Sequence, residues 1–445
     1  MTSHPQLFTD NRAKFLDQLR ERGAAAVVFT APEHIRNNDS EYRFRPDSDF
    51  YWLTGFAEPE AALVLVPGRS EGESILFLRE RVVEEEIWTG ERLGLERAVE
   101  RLGVDEALPI TDLFDDLPEL LAGQTRIVTA LGHDDVRDRR MLEVASTLRR
   151  RARGGARSPV EWVDPSATLH ELRLIKSAPE IERMRTAAGI TDEAHRLAMA
   201  AARPGMNECE LDALLDYTFR RRGGTGAAYT NIVAGGANAC TLHYITNDRP
   251  LDDGQLCLID AGCEFDYYAS DVTRTFPVNG RFEPAQRELY DAVLAAQFAA
   301  VEAVRPGATI DIVHRAATLT LCEHLVGLGL LTGDPAELHG EGAHRRFMMH
   351  GTSHWLGLDV HDRGQYQREG QARPFEPGMV LTVEPGLYIP EDATDIDRRF
   401  RGIGIRIEDD ILVTEQGHDN LTASIPKEIE DVEAACQSDA LVSAR

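Results

Sequence analysis

The sequence predicts two domains: an α/β domain over residues 1–173, and an α+β domain over residues 174–445 carrying an internal pseudo-two-fold repeat. Three observations lead there. Strand-like apolar runs alternate with helical stretches up to about Arg173, the pattern of an α/β layer. The character then changes at Ser177-Ala178-Pro179-Glu180, a capping box with an early proline. Beyond it, the order helix, Arg-Pro-Gly stop, helix, strands occurs twice, over Ser177–Pro277 and Glu283–Thr414.

In the first domain Ala24–Ala31, Ala61–Gly68, Ser74–Leu78 and Arg126–Gly132 read as buried strands, with helical stretches around Arg12–Arg22, Arg81–Gly90 and Leu95–Leu102. Asn37–Gly55 reads as a long polar and aromatic loop packed on the surface. Arg149–Trp162, rich in Arg and Gly, reads as a connector. In the second domain one helix runs from Ser177 to about Ala202. Asn207 and Glu210 cap another, through about Arg221. Pro284 opens a helix to about Val304, and Thr309 caps a further one to about Leu328, with strands following from about Met348 to Thr414.

The stretch Leu256–Phe276, LCLIDAGCEFDYYASDVTRTF, has the form of a hairpin with β-branched flanks. With a turn centred near Phe265 and Asp266, Asp260 and Asp271 stand directly opposite, their Cβ atoms ~5 Å apart. Two buried like charges at that distance stay ionised together when a cation lies between them. The alternative is a strand-end Asp and a solvated strand Asp. If one half brings two carboxylates, the matching half should bring ligands too. Met379–Ile389 is a strand ending at Glu384, where Pro385-Gly386 breaks it. In Gly402–Thr414, Ile403, Ile405 and Ile407 share one face, and Arg406 and Glu408 the other. His350–Asp362 packs three histidines into a strand or turn.

The candidate ligands are therefore Asp260, Asp271, His354, Glu384 and Glu408. Four carboxylates and one imidazole form a hard, oxygen-rich set that suits Mn²⁺, and also Co²⁺ or Zn²⁺. Two carboxylate-bridged ions holding a hydroxide between them would fit a hydrolase. For any one acid taken alone a salt-bridge partner is the better reading; five such residues in two matched halves weaken it.

Composition bounds the partners. The 445 residues are 42% hydrophobic and 28% charged, with 48 basic against 75 acidic side chains and a formal net charge of −27. That balance disfavours nucleic acid and anionic membranes, which need a basic face. No apolar run has the length of a signal peptide core or a membrane span, and the six cysteines show no CxxC or disulfide spacing. The expectation is a cytoplasmic protein.

LIDAG around Asp260, SDVTRTF around Asp271, HGTSHWLGLDVHD around His354, LTVEPGLY around Glu384 and RIEDD around Glu408 resemble the five ligand motifs of the pita-bread metallopeptidases. That family includes methionine aminopeptidases, prolidases and Xaa-Pro aminopeptidases. The likeness extends to DSEYRFRPDSDFYWLTGF near the N-terminus and NLTASIPKE at Asn420–Glu428, and is nearest to bacterial-type aminopeptidase P. It implies a pita-bread catalytic domain with two Mn²⁺ per subunit. It also implies removal of the first residue from peptides with proline second, and a homo-oligomer, dimer or tetramer. By resemblance Glu384 also moves the proton, His243, His350 and His361 surround the substrate, and Arg406 pairs with a ligand carboxylate. Asp39, Trp88 and Arg153 correspond to residues at the site mouth of related enzymes, though Trp88 reads equally as a core aromatic. Tyr388 follows the Glu384 strand. Prolidase shares both domains and the ligands. A metal-free binding protein on the same fold would have lost ligands, and none is lost here.

Overall fold

The computed structural model describes residues 5–151 and 157–438, and the chain divides into two compact units, Met1–Arg173 and Leu174–Arg445. The first unit is organised on a six-stranded mixed sheet, in the spatial order Glu106–Pro109, Ser74–Leu78, Ala62–Leu65, Ala24–Phe29, Arg126–Val128, Glu161–Val163. Ala24–Phe29 and Ser74–Leu78 are nearly continuous apolar runs because helices cover the sheet. Leu113, Leu117, Met141, Val144 and Leu148 complete that core.

Two expectations for this unit need correction. Asn37–Gly55 is not all loop: Ser48–Thr54 is a helix that buries Phe50, Tyr51, Trp52 and Leu53. Asp47 caps it, its carboxylate accepting from the Phe50 amide at 3.0 Å, and Gly55 closes it in the left-handed conformation at φ 64°. Arg149–Trp162 is not simply a connector either. A helix continues to Arg151, and Glu161–Val163 pairs with Arg126–Val128 as the edge of the sheet.

In the second unit the two helix pairs, Ala178–Ala201 with Glu208–Arg221 and Pro284–Ala303 with Ile310–Gly327, begin and end close to the capping and Arg-Pro-Gly signals. Ser177 with Glu180, Asn207 with Glu210 and Glu283 with Gln286 form capping boxes. The first pair backs a sheet of Ile232–Gly235, Leu256–Asp260 and Thr273–Pro277. The second pair backs Val380–Val383, Asp409–Thr414 and Gly417–Asn420, together with the two-stranded Gly386–Ile389 and Ile403–Arg406. Each half buries its own apolar cluster.

The halves are joined at the strand carrying Thr273 and Thr275. The Glu408 amide donates to Thr273 O at 3.1 Å, and Thr275 Oγ1 donates to Arg406 O at 3.0 Å. Arg274, fully buried, donates to Asp409 Oδ1 at 2.7 Å and to the carbonyl oxygens of Glu408, Ile425 and Pro426. Its five donors in a fixed fork suit that many acceptors in one place.

Candidate metal centre

Asp260 closes Leu256–Asp260, the central strand of its sheet, whose first four residues are buried, so the chain delivers its carboxylate where that strand ends. The hairpin register differs from the expectation. The turn falls on Asp266 and Tyr267, both with positive φ (48° and 65°), as a two-residue hairpin turn of right-handed twist requires. This moves the pairing by two residues, so Asp260 faces Thr273 rather than Asp271. Gly262 allows the chain to cross at that point, since a Cβ there would lie 1.8 Å from Ser270 O. Asp271 is then held by its own amide, which donates to the Asp410 carboxylate at 3.1 Å.

The two aspartates converge all the same. Tyr229 Oη lies 2.6 Å from Asp260 Oδ1 and 2.5 Å from Asp271 Oδ1. One hydroxyl hydrogen cannot serve both acceptors, so the two carboxylates need a further proton or a cation. Tyr229 was not among the residues singled out from the sequence. It lies in no chemical motif, and only the fold brings it beneath the hairpin.

The second half supplies the opposite wall. Val380–Val383 ends on Glu384, whose amide donates to Thr352 O at 2.8 Å. The Thr382 amide donates to His354 O at 2.9 Å, which lays the His350–Leu356 segment along the strand without a regular ladder. His354 Nδ1 faces Trp355 O at 3.0 Å and must therefore carry its hydrogen there. Nε2 is left facing Asp271 Oδ2 at 3.4 Å and Glu384 Oε1 at 3.7 Å. Glu408, 2% exposed, accepts from Thr273 Oγ1 at 2.6 Å, and Thr273 in turn accepts from Arg406 Nε at 2.9 Å. Arg406 Nη2 reaches Asp260 Oδ2 at 2.6 Å and Nη1 reaches Tyr388 Oη at 3.0 Å. His350 Nδ1 faces Gly351 O at 2.6 Å, so Nε2 accepts from Tyr388 Oη at 2.8 Å.

The electrostatics are those of a site built for cations. Burial, with the charges of Asp271, Glu384 and Asp260, holds the Glu408 carboxyl far above its usual range. Burial also raises Asp260 against the opposing charge of Arg406, and pushes Glu384 up to about 7. Burial works against the charged form of His354, but the hydrogen bond and charge of Asp271 prevail and push it up to about 9. His350 is pushed down to about 4 by burial and by Arg406, and His361 is lowered by burial and by His354. Four acidic side chains, Asp271 and Glu408 buried and Asp260 and Glu384 half-buried, face only the Arg406 guanidinium and the His354 imidazole, a deficit of positive charge that a divalent cation would remove. Asp271, His354 and Glu408 each offer a ligand atom within 4.8 Å of the others. The donor set is oxygen-rich with one imidazole, and it fits a metal.

All nine residues expected here, Asp260, Asp271, His354, Glu384, Glu408, His243, His350, His361 and Arg406, line one cavity of about 660 Å³. Leu242, Ile245 and Val360 add apolar wall to it. The His361 ring stands 4.2 Å from that of His354, centre to centre. Tyr388 is fully buried behind His350. In the other unit, Asp39 lies in an exposed hairpin. Trp88 is 86% exposed on the short helix Val83–Thr89, so it is not a core aromatic. Arg153 lies outside the described residues.

Known proteins resemble this chain in sequence and fold. The pattern of metallopeptidase family M24 matches residues 182–415, and that of the aminopeptidase P N-terminal domain matches residues 8–129. The chain is 46% identical over 430 residues to an Xaa-Pro aminopeptidase of Escherichia coli (strain K12), covering 96% of this chain and 97% of that one. It is 37% identical over 414 residues to human Xaa-Pro aminopeptidase 3, covering 92% and 80%. Aminopeptidase PepP of Pseudomonas aeruginosa superposes with a TM-score of 0.95 at 46% identity, over 98% of this chain and 99% of that one. A Glu-to-Ala variant of E. coli aminopeptidase P in complex with substrate superposes at 0.93 and 46% identity, over 97% and 98%. With a metal-binding site in a pita-bread domain and an aminopeptidase P N-terminal domain before it, the chain belongs to metallopeptidase family M24.

Proposed function

We propose that this protein is a metal-dependent Xaa-Pro aminopeptidase, releasing the first residue of peptides whose second residue is proline. The observation that carries the reading is the gathering of all nine expected side chains around one cavity, with Asp271, His354 and Glu408 close enough to share an ion. Asp260, Asp271, His354, Glu384 and Glu408 would hold two ions, with Mn²⁺ the best match to the donors and Co²⁺ or Zn²⁺ as substitutes. When bound, the metal supplies Lewis-acid polarisation of the scissile carbonyl and a nucleophilic water at neutral pH.

The protein's own groups do the rest. Glu384 takes the proton from the attacking water and gives it to the proline nitrogen. That nitrogen belongs to a tertiary amide with no hydrogen and must be protonated to leave. His361 and His243, both in the cavity wall, donate to the carbonyl and to the tetrahedral oxygen. His350 is tied through Tyr388 to Arg406, and Arg406 keeps Asp260 ionised and aimed.

Hydrolysis of Arg-Pro-Pro-type peptides against Gly-Pro tests this. Cleavage of the longer peptide is expected; cleavage of dipeptides alone would make it a prolidase. Metal content by elemental analysis tests the ion and its stoichiometry. The exposed Val83, Ile87 and Trp88 support self-association as a dimer or tetramer, which sedimentation of the parent and of Trp88→Ala would test. Six unpaired cysteines support a cytoplasmic location, which cell fractionation would test.

A further inference from the structure

Lys176 and Asp362 form an ion pair at 2.9 Å with both side chains 1% exposed. Pairs this deep are seldom the cheapest way to fill space, since apolar residues of similar volume serve stability as well. Their value lies in fixing one geometry. Here the geometry concerns the segment Trp355–Asp362. It leaves the Glu384 strand at Leu356, whose amide donates to Val380 O at 3.0 Å, and returns where the Asp362 amide donates to Trp355 O at 2.8 Å. His361 is the residue just before that return. Asp362 is therefore the side chain through which His361 can be held from below.

Lys176 grips two places at once. Its amide donates to Gly378 O at 2.8 Å, at the foot of the strand that ends on Glu384, and its Nζ donates to Asp362 Oδ2. Gly357 marks how closely the pair fills its space. A Cβ there would stand 2.2 Å from Asp362 Oδ2 and 2.9 Å from Lys176 Cε. We propose that Lys176, through its buried pair with Asp362, is a positioning residue that fixes His361 relative to the Glu384 strand. The inference rests on the reading of His361 as a substrate-facing group.

The test is a double-mutant comparison in the metal-loaded, full-length enzyme. Lys176→Met with Asp362→Asn removes both charges of the pair together; Lys176→Met alone serves as the harsher control. Melting temperature and metal content monitor the structure. The K176M/D362N variant is expected to lose about 10-fold to 100-fold in kcat, with KM within about twofold, as for a displaced group. In a His361→Ala background the same pair of changes should cost less than about twofold, because the residue it positions is gone. Equal losses in both backgrounds, or full activity of K176M/D362N, would overturn the proposal while leaving the role of His361 standing. Parental activity in H361A alone would overturn the reading of His361, and this inference with it.

Discussion

Arg406 Nη2 donates to Asp260 Oδ2 at 2.6 Å, a bond from the second half of the catalytic unit to the first. The same guanidinium serves Thr273 and Tyr388, so it sets the aim of one acid and reaches a second, Glu408, through Thr273. Arg406→Lys keeps the charge and loses the fork. A fall of about 10-fold to 100-fold in kcat/KM or metal affinity is expected, read by steady-state kinetics and calorimetric metal titration.

Tyr229→Phe removes the one hydroxyl shared by Asp260 and Asp271 and leaves the ring in place. The two carboxylates then rely on the ion alone. Metal affinity is expected to weaken by about 10-fold or more, with the melting temperature of the loaded protein little changed. Unchanged affinity in a metal titration would count against any part for the phenol in holding the ligands.

Chelation should abolish activity and leave the carboxylates uncompensated. The folded state raises Glu384 to about 7, chiefly by burial, above the value of about 4.3 for an unfolded chain. The folded protein therefore prefers it protonated. That preference adds stability at low pH and fades as pH rises through about 7. Metal-free protein is expected to melt higher at pH 6 than at pH 8, whereas loaded protein lacks this trend. Restoring free ion to about 100 times its Kd should add about 2.7 kcal/mol. Scanning calorimetry at the two pH values decides it.

In the first unit Asp49 is buried, yet its carboxyl is lowered to about 2: burial alone would raise it, but Arg173 at 2.6 Å and His170 at 2.9 Å prevail. Its folded value lies below the unfolded one, so it contributes fully above about pH 4 and is lost as pH falls towards 2. Asp49→Asn should remove on the order of 2 kcal/mol at pH 7 and flatten the acid limb of the stability curve between about pH 4 and 2. Urea melts across that range would show it.

Gly262→Ala places a methyl 1.8 Å from Ser270 O, backbone against side chain with no flexible group to yield. A loss of roughly 4 kcal/mol or more, with loss of metal binding, is expected. A variant that melts and binds metal normally would show the hairpin to be more compliant than its packing suggests.

The chain's organisation was legible where the signals were local. Capping pairs such as Asn207 with Glu210, and the Arg-Pro-Gly stops, mark helix ends through chemistry that acts within four residues. Asp260 and Glu384 stood out because each ends an apolar run, and Glu408 because it shares a face of an alternating run, whereas His243, His350 and His361 came only from the family resemblance. What escaped the sequence depended on non-local geometry. The hairpin register turned on which two residues accept positive φ, and Asp266-Tyr267 did so with no glycine to announce them. The Ser48–Thr54 helix hid in aromatic residues, although Asp47 and Gly55 flank it as cap and stop. Tyr229 and Lys176 had no motif, since their partners lie far along the chain.

Arg274 draws Asp409 together with the carbonyl oxygens of Ile425 and Pro426, so the wall bearing Glu408 is finished by residues near position 427. A chain growing from its N-terminus exposes Asp260 and Asp271 long before that wall exists, for roughly 10–30 s at ~5–20 residues per second. An ion met in that interval would find only the first half of its cage, so a nascent chain stalled before Lys427 is expected to come off the ribosome empty.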